Sequence, residues 1–532
     1  MLSTLRLGRS VTSTRRALSL RMSMVAAAIA AALATVGSLA GWRGGDLSAQ
    51  LFRVELFREY GMTLWNPQWY GGHFTLSYSV LYPPIAATAG IAVSTIASAT
   101  IAAWSFGQLT LRWFGTRAGT GMVLFAIGTG SQVAIGQLPF LMGEAFALAA
   151  CVAASKQRWK LATAAALAAS LTSPLAAAFL VLVIVSWAIT SSGHRWLLVV
   201  VGSAAALPVA VTAVVFPGTG VFPYLLRDAM LEMAVLATLI AVIPRRHQSL
   251  RVGALVYLGA IAASYLVASP IGGNVSRLGE SVAVPLAACA LWPTRRSLFA
   301  AVMVPMVLWQ WTPAWPAITN QTDQPSTHAE FYTPLVGFFA ALPTPPTRVE
   351  VVPTKTHFEV AYVAPSTSLA RGWERQIDTA DNALFYNSAV LTTSAYRAWL
   401  IDTGTQYVAV SDATPDYAAT HEADLVHAGM PGLTPVWHNE HWDVYAVDGA
   451  QGVILGPAEL TSITGDQINV NVTAPGTVQL KFRYNHNWTI EPQPICFGAD
   501  PSGWITFTAN EPGTYRLSVK LTTRDNHPCT TP

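Results

Sequence analysis

The chain has 532 residues, of which 52% are hydrophobic and only 11% charged, with a mean hydropathy of +0.40. Soluble domains carry about 25% charged residues, so this composition excludes an ordinary globular protein and points to a membrane protein with room for more than one domain. The net charge of +3 conceals a division: residues 1–316 hold 21 Lys and Arg against 7 Asp and Glu, whereas residues 317–532 hold 10 against 21. A basic membrane half is what the positive-inside rule requires, so the charge calls for no nucleic-acid partner.

In chain order, Arg6, Arg9, Arg15, Arg16 and Arg21 precede an apolar run from Met22 to Gly41. About 20 apolar residues suffice to span a bilayer, so this run is read as an uncleaved anchor, although Ser38-Leu39-Ala40 would serve as a signal cleavage site. Further apolar segments fall near 84–111, 119–136, 138–155, 159–173, 174–191, 195–215, 225–243, 251–269, 279–293 and 297–315. The expectation is a polytopic α-helical membrane domain over 1–316 with about eleven spans and a cytoplasmic N-terminus. That arrangement puts 16 of the 21 basic residues in inner loops, Arg112, Lys156 and Arg246 among them. It also puts Asp46, Glu55, Glu59, Glu144, Asp228, Glu232 and Glu280 at or near the outer face. Ionisable groups within spans are expensive and default to functional candidates.

The loop at 42–83 separates the first two apolar runs and is crowded with Trp, Tyr, Gly and Pro. Asp46 follows two glycines and precedes a helical pattern from Leu47 to Tyr60, where it could cap the helix; a helix start also offers free N–H groups to a phosphate. Gln50 and Arg53 continue a polar stripe from Asp46, and Arg58 could meet a phosphate or pair with Glu55. Trp65, Trp69, Tyr70 and His73 follow as candidates for sugar stacking or for an interfacial aromatic belt. Arg53, Arg227 and Arg277 break the inside preference of basic residues, so they are the candidates for an anionic headgroup. Arg277 closes a Gly/Pro-rich turn, in which backbone N–H groups can approach an anion.

Beyond Trp311 a Pro/Thr-rich linker leads to an extracytoplasmic region. Over 317–450 the patterns mix helix and strand: RVEVV and HFEVAYV read as strands, SAVLTTSAYRAWLIDTG as a helix stopped at Gly404, and QYVAVS as the next strand. From 451 to 532 short alternating strands between turns predict a β-sandwich. Cys151 and Cys289 sit in apolar spans, while Cys496 and Cys529 lie where a disulfide could form. His438 and His441 flank Asn439-Glu440, a pattern more often solvated than metal-bound, so no metal ligand is assigned. No P-loop or GxGxxG occurs, which argues against a nucleotide-fuelled engine.

The order of first span, Gly45-Asp46, amphipathic helix, Pro67, Trp69, Gly71-Gly72 and Tyr82-Pro83-Pro84 at the second span resembles the GT-C superfamily of membrane glycosyltransferases. More narrowly it resembles the bacterial integral-membrane family labelled 6-pyruvoyl-tetrahydropterin synthase-related. Gly136-Gln137-Leu138-Pro139 and Trp399-Leu400, Gly404 and Tyr407-Val408 fit the same pattern. The resemblance implies a polyprenyl-phosphate sugar donor, an envelope glycan or glycolipid acceptor, and Asp46 as the base on the acceptor hydroxyl. Glu144, Arg227, Asp228, Arg277 and Glu280, at or near the outer face in the topology above, are the remaining candidates for contact with the substrates. Many members carry two adjacent acids in this loop, whereas here Gly45 precedes and Leu47 follows Asp46; a divalent metal is the one cofactor left open. A transporter or flippase of envelope precursors and a non-catalytic glycan-binding scaffold are the alternative readings.

Overall fold

Long apolar runs with no buried partner of their own length are stable only as helices, because every backbone polar group is then satisfied within the segment. The computed structural model describes residues 2–191, 193–218, 220–292, 295–345, 347–521 and 529. In it each apolar run is helical. The helices are α1 (Leu2–Leu39), α2 (Gly45–Tyr60), α3 (Tyr82–Ala89), α4 (Ile91–Phe114), α5 (Gly119–Ile135), α6 (Leu138–Ser155) and α7 (Trp159–Thr172). They continue with α8 (Pro174–Thr190), α9 (Arg195–Val215), α10 (Leu226–Val242), α11 (Gln248–Leu266), α12 (Arg277–Leu291) and α13 (Arg296–Trp311).

Five helical stretches among the described residues are long and apolar enough to cross a membrane: Leu18–Leu39, Ile91–Ile135, Leu138–Ser155, Arg195–Val215 and Gln248–Leu266. Only 17% of the apolar window of Arg195–Val215 is buried by protein. Leu207 and Val214 on that helix are 63% and 80% exposed. An apolar helix with so little protein cover needs another apolar environment, and lipid supplies it. The chain is therefore a membrane protein with a strand-rich C-terminal region.

Contacts divide the chain into two compact units, Met1–Leu47, Tyr78–Pro217 and Val221–Thr322 in the first, Ser48–Ser77, Gly218–Gly220 and Asp323–Pro532 in the second. The loop 42–83, expected to belong with the membrane domain, is divided: its middle, Ser48–Ser77, belongs to the second unit. In the first unit, α1 packs on α4 and α5, α6 on α4 and α7, and α12 on α5. Their contact faces are rich in small residues: Ala26, Ala30, Ala99, Ala102 and Ala126 share one cluster and Ala150, Ala162, Ala166 and Ala169 another. Small residues let backbones approach closely where no water is available to drive association.

The second unit takes in α2 from Ser48 onward, followed by a hairpin, β1 (Trp65–Asn66) and β2 (His73–Phe74). After α14 (Ala329–Ala341), a five-stranded sheet has the order β4-β3-β5-β7-β6, formed by β3 (Arg348–Val351), β4 (Ser368–Leu369), β5 (Tyr407–Ser411), β6 (Leu433–His438) and β7 (Trp442–Val447). Strands β4, β3 and β5 are parallel; β7 is antiparallel to β5, and β6 is antiparallel to β7. Helices α15 (Glu359–Tyr362), α16 (Arg375–Asp381), α17 (Thr393–Asp402) and α18 (Thr420–His427) connect the strands. The helix expected before Gly404 is α17; the Thr392 hydroxyl caps it by accepting from the Ala395 N–H, and Gly404 follows at φ 71°. One expectation fails here. HFEVAYV, read as a strand for its β-branched and aromatic content, folds as the short helix α15. The Glu359 carboxylate accepts from both the N–H and the hydroxyl of Thr354, which closes a turn and overrides propensity.

The last part is a sandwich of two four-stranded antiparallel sheets, β12-β15-β10-β9 and β13-β14-β11-β8. Its strands are β8 (Ile454–Leu455), β9 (Ala458–Thr464), β10 (Gln467–Val472), β11 (Gly476–Arg483), β12 (Trp488–Glu491), β13 (Cys496–Ala499), β14 (Trp504–Ala509) and β15 (Gly513–Val519). Alternation does what it should: Ile468, Val470 and Val472 point inward with Leu480, Phe507 and Leu517. Cys496 and Cys529 are joined in a disulfide. Trp65 from β1 completes this core, edge-on to Trp488 at 4.7 Å and to Phe482 at 6.1 Å.

Candidate functional site

In the first unit the loop after α1 leads into α2, with Asp46 in the first helical turn, where a carboxylate complements the helix dipole. The start of α2 lies hard against the end of α5. Gly136 caps α5 at φ 88°, and a Cβ there would sit 2.4 Å from the Leu47 nitrogen, so only glycine permits the approach. Arg277 opens α12, 231 residues further along the chain. Its Nη2 donates to Asp46 Oδ2 at 3.3 Å, and the two side chains keep 18% and 19% exposure, so the pair is sheltered yet reachable.

The surroundings of Arg277 are also polar. Its guanidinium lies 5.9 Å from the centre of the Phe140 ring in the first turn of α6. One turn on, Glu144 accepts from Gln132 Nε2 at 2.9 Å and neighbours Ser281 of α12. Glu280 lies in the first turn of α12, within the field of Arg277. Asp46, Arg277, Glu144 and Glu280, far apart in sequence, thus sit on three helices that pack around the end of α5. Arg227 and Asp228 do not join them: they pair with each other at 3.1 Å on an exposed turn, 79% and 41% exposed.

The aromatic loop candidates lie in the second unit and are packed. Trp65 is a sandwich core residue and cannot stack on a sugar without unpacking. Trp69 is fully buried, stacked on Phe52 at 4.3 Å and on His73 at 5.1 Å. Gly72 between them stands at φ 119°, and a Cβ there would fall inside the Trp65 ring. The Tyr70 hydroxyl donates to the Glu374 carbonyl. Backbone bonds from Leu369 to Gln68 and from Arg483 to Gly71 tie the loop down on both sides. Burial lowers the His73 pKa to about 4, so it sits there as a neutral ring. Arg53 is buried, ion-paired to Glu374 and 5.6 and 5.5 Å from the Trp69 and Trp373 rings. That geometry commits its charge to the protein, so the headgroup role expected for Arg53 finds no support in its position. Arg58 pairs with Glu55 on the surface. The stacking role expected for Trp65, Trp69, Tyr70 and His73 gives way to packing, because the loop found a core to fill.

Two buried clusters of charged residues lie outside the candidates expected from sequence. Arg371 makes a bidentate pair with Asp378, at 3.1 and 2.8 Å, and reaches Glu422 at 2.9 Å. Tyr386 and Asn382 donate to Asp378, and Tyr396 to Glu422. Burial, followed by the charge of Glu422, holds the Glu350 carboxyl well above the usual range, so it stays protonated beside its neighbour. In the second cluster His357 lies between Glu359 at 3.2 Å and Asp416 at 3.5 Å, and Arg375 grips Asp416 with two bonds of 2.9 Å. These groups are scattered over about 70 residues with no recurring spacing, so nothing in the sequence marks them. Burial alone would lower the His357 pKa, but the hydrogen bonds and charges of Asp416 and Glu359 outweigh it and raise it to about 9. A histidine raised above its unfolded value of about 6.5 stabilises the fold fully below that value, and the contribution disappears as pH rises through 9. The expected result is a melting temperature that declines between pH 6.5 and 9, with a clearly shallower decline in His357→Gln. Equal slopes in the two proteins would remove His357 from the pH dependence.

Asp46 is ion-paired to the guanidinium of Arg277, a group that cannot ligate a metal. Among the described residues no group of three or more His, Cys, Asp or Glu could hold a metal ion. Comparison with known families finds no family model that matches the chain, and comparison with curated proteins finds no match.

Proposed function

We propose that the chain is a glycosyltransferase using a polyprenyl-phosphate sugar donor at the outer face of the cytoplasmic membrane, in cell-envelope glycan synthesis. The observation that carries this reading is the Asp46–Arg277 pair, a carboxylate and a guanidinium brought together from distant helices in a sheltered, reachable position. Asp46 takes the proton of the acceptor hydroxyl. The freed oxygen attacks the anomeric carbon, the bond from that carbon to the phosphate oxygen breaks, and the lipid phosphate leaves with the electron pair. Arg277 has five N–H donors and gives Asp46 one of them, which leaves planar, fork-shaped donors for a phosphate. The carboxylate supplies the base that a sugar hydroxyl lacks, and the guanidinium offsets charge developing on the leaving group.

The test is transfer from lipid-linked hexose and pentose donors by the full-length protein in proteoliposomes. Arg277→Lys keeps the charge and loses the fork, so the donor KM is expected to rise about tenfold. A donor KM unchanged in both Arg277→Lys and Arg277→Gln would remove Arg277 from donor binding. Absence of transfer with every such donor, in protein with a normal thermal transition, would favour a non-catalytic scaffold.

The same reading has about eleven spans, the N-terminus inside and residues 317–532 outside. Single cysteines at Ala329 and Ser249, both exposed positions, probed with an impermeant thiol reagent on intact cells, are expected to label at 329 only. Labelling at 249 alone would invert the arrangement.

A further inference from the structure

A cavity of about 650 Å³ lies within the first unit, between α8, α10, α11 and α12. Its walls are largely apolar, with Leu182, Leu236, Leu239 and Ala254 among them, and its size is that of an ordinary small-ligand site. Its ends differ in charge. At one end stand Arg112, in the last turn of α4, and Arg246, in the turn before α11. No ion pair to either arginine occurs among the described residues, and both are exposed. Ser249 at the same end shares a hydrogen bond of 2.8 Å with Thr190. The one lining carboxylate, Glu232, lies ten residues before the end of α10, about 15 Å away at 1.5 Å per residue, and is occupied by the Tyr224 hydroxyl at 2.6 Å.

We propose that this cavity is a binding site for an anionic glycerophospholipid. Its phosphate sits on Arg112 and Arg246, its glycerol region meets Ser249 and Thr190, and one acyl chain fills the apolar channel. Charge complementarity selects the occupant: two arginines without protein counter-ions, at the mouth of an apolar channel between membrane helices, match a phosphate joined to a hydrocarbon chain. It also separates this lipid from the proposed sugar donor. Arg246 precedes α11 and Arg277 follows it; the 19 residues of that helix span about 28 Å, close to the thickness of a bilayer core. A phosphate held by Arg246 therefore lies at the opposite membrane face from Asp46, where it cannot be the leaving group. In the topology proposed above this is the cytoplasmic leaflet.

The test uses the full-length protein in phosphatidylcholine vesicles, with phosphatidylglycerol carrying a photoactivatable group midway along one acyl chain. No turnover is read, so its failure is distinct from failure of the glycosyltransferase reading. Adducts are expected on Leu182, on Leu236 to Leu239 and on Ala254. Arg112→Gln and Arg246→Gln are each expected to reduce them about fivefold, and the double Lys variant to retain them. Glu55→Gln, a surface change, should leave labelling as it is and controls for folding. Equal labelling by a phosphatidylcholine probe, adducts spread over the exposed helix faces, or labelling of these residues by a polyprenyl-phosphate probe but not by phosphatidylglycerol would each overturn the proposal.

Discussion

Asp46→Asn is expected to lower sugar transfer by about 10²–10⁴-fold, the usual contribution of a positioned general base, while leaving the protein folded. Asparagine keeps the size and the hydrogen-bonding shape of aspartate at the start of α2. The charge it removes is paired with Arg277 in a position about one-fifth exposed, where loss of such a pair costs only about 1 kcal/mol. Activity and stability should therefore separate. The measurement is transfer by wild type and variant at saturating donor, with melting temperatures recorded on the same preparations. Near-normal turnover in the variant would leave Asp46 as a helix-start residue and nothing more.

Arg371→Met should have the largest effect on stability. The guanidinium is 1% exposed and holds Asp378 and Glu422, both almost completely buried, while Glu350 adds a third carboxyl group beside them. Removing the guanidinium that pairs with both carboxylates leaves them unpaired in a low-dielectric interior, at a cost of about 3–5 kcal/mol. For a unit of this size the melting temperature should fall by roughly 10 °C, followed as protease resistance of residues 323–521 in the full-length protein. Replacing Arg371, Asp378 and Glu422 together by apolar residues should recover much of the loss, because the penalty belongs to the unpaired charges. A melting temperature unchanged in Arg371→Met would mean that water or protonation relieves the cluster, and its structural role would be lost.

The local structure of this chain is written in local patterns. Apolar runs such as 138–155 and 195–215 need no tertiary partner to choose the helix, because a lipid-facing backbone has no other way to satisfy its polar groups. The sandwich strands 467–472 and 513–519 show in their two-residue alternation, and Thr392 and Gly404 bracket α17 by capping chemistry alone. HFEVAYV went the other way, since a single carboxylate, Glu359, organised its turn. What only the tertiary structure decided is which residues meet. Trp65 and Trp69 look the same in sequence whether they face a sugar or a core, and it is the space between two sheets and beside Phe52 that made them core. Arg53 and Arg277 are both outer arginines by pattern; Glu374 closes the first, and Asp46 holds the second where it stays accessible. Long-range pairing costs chain entropy that burial must offset, and no periodicity within one segment records which distant segment supplies that burial.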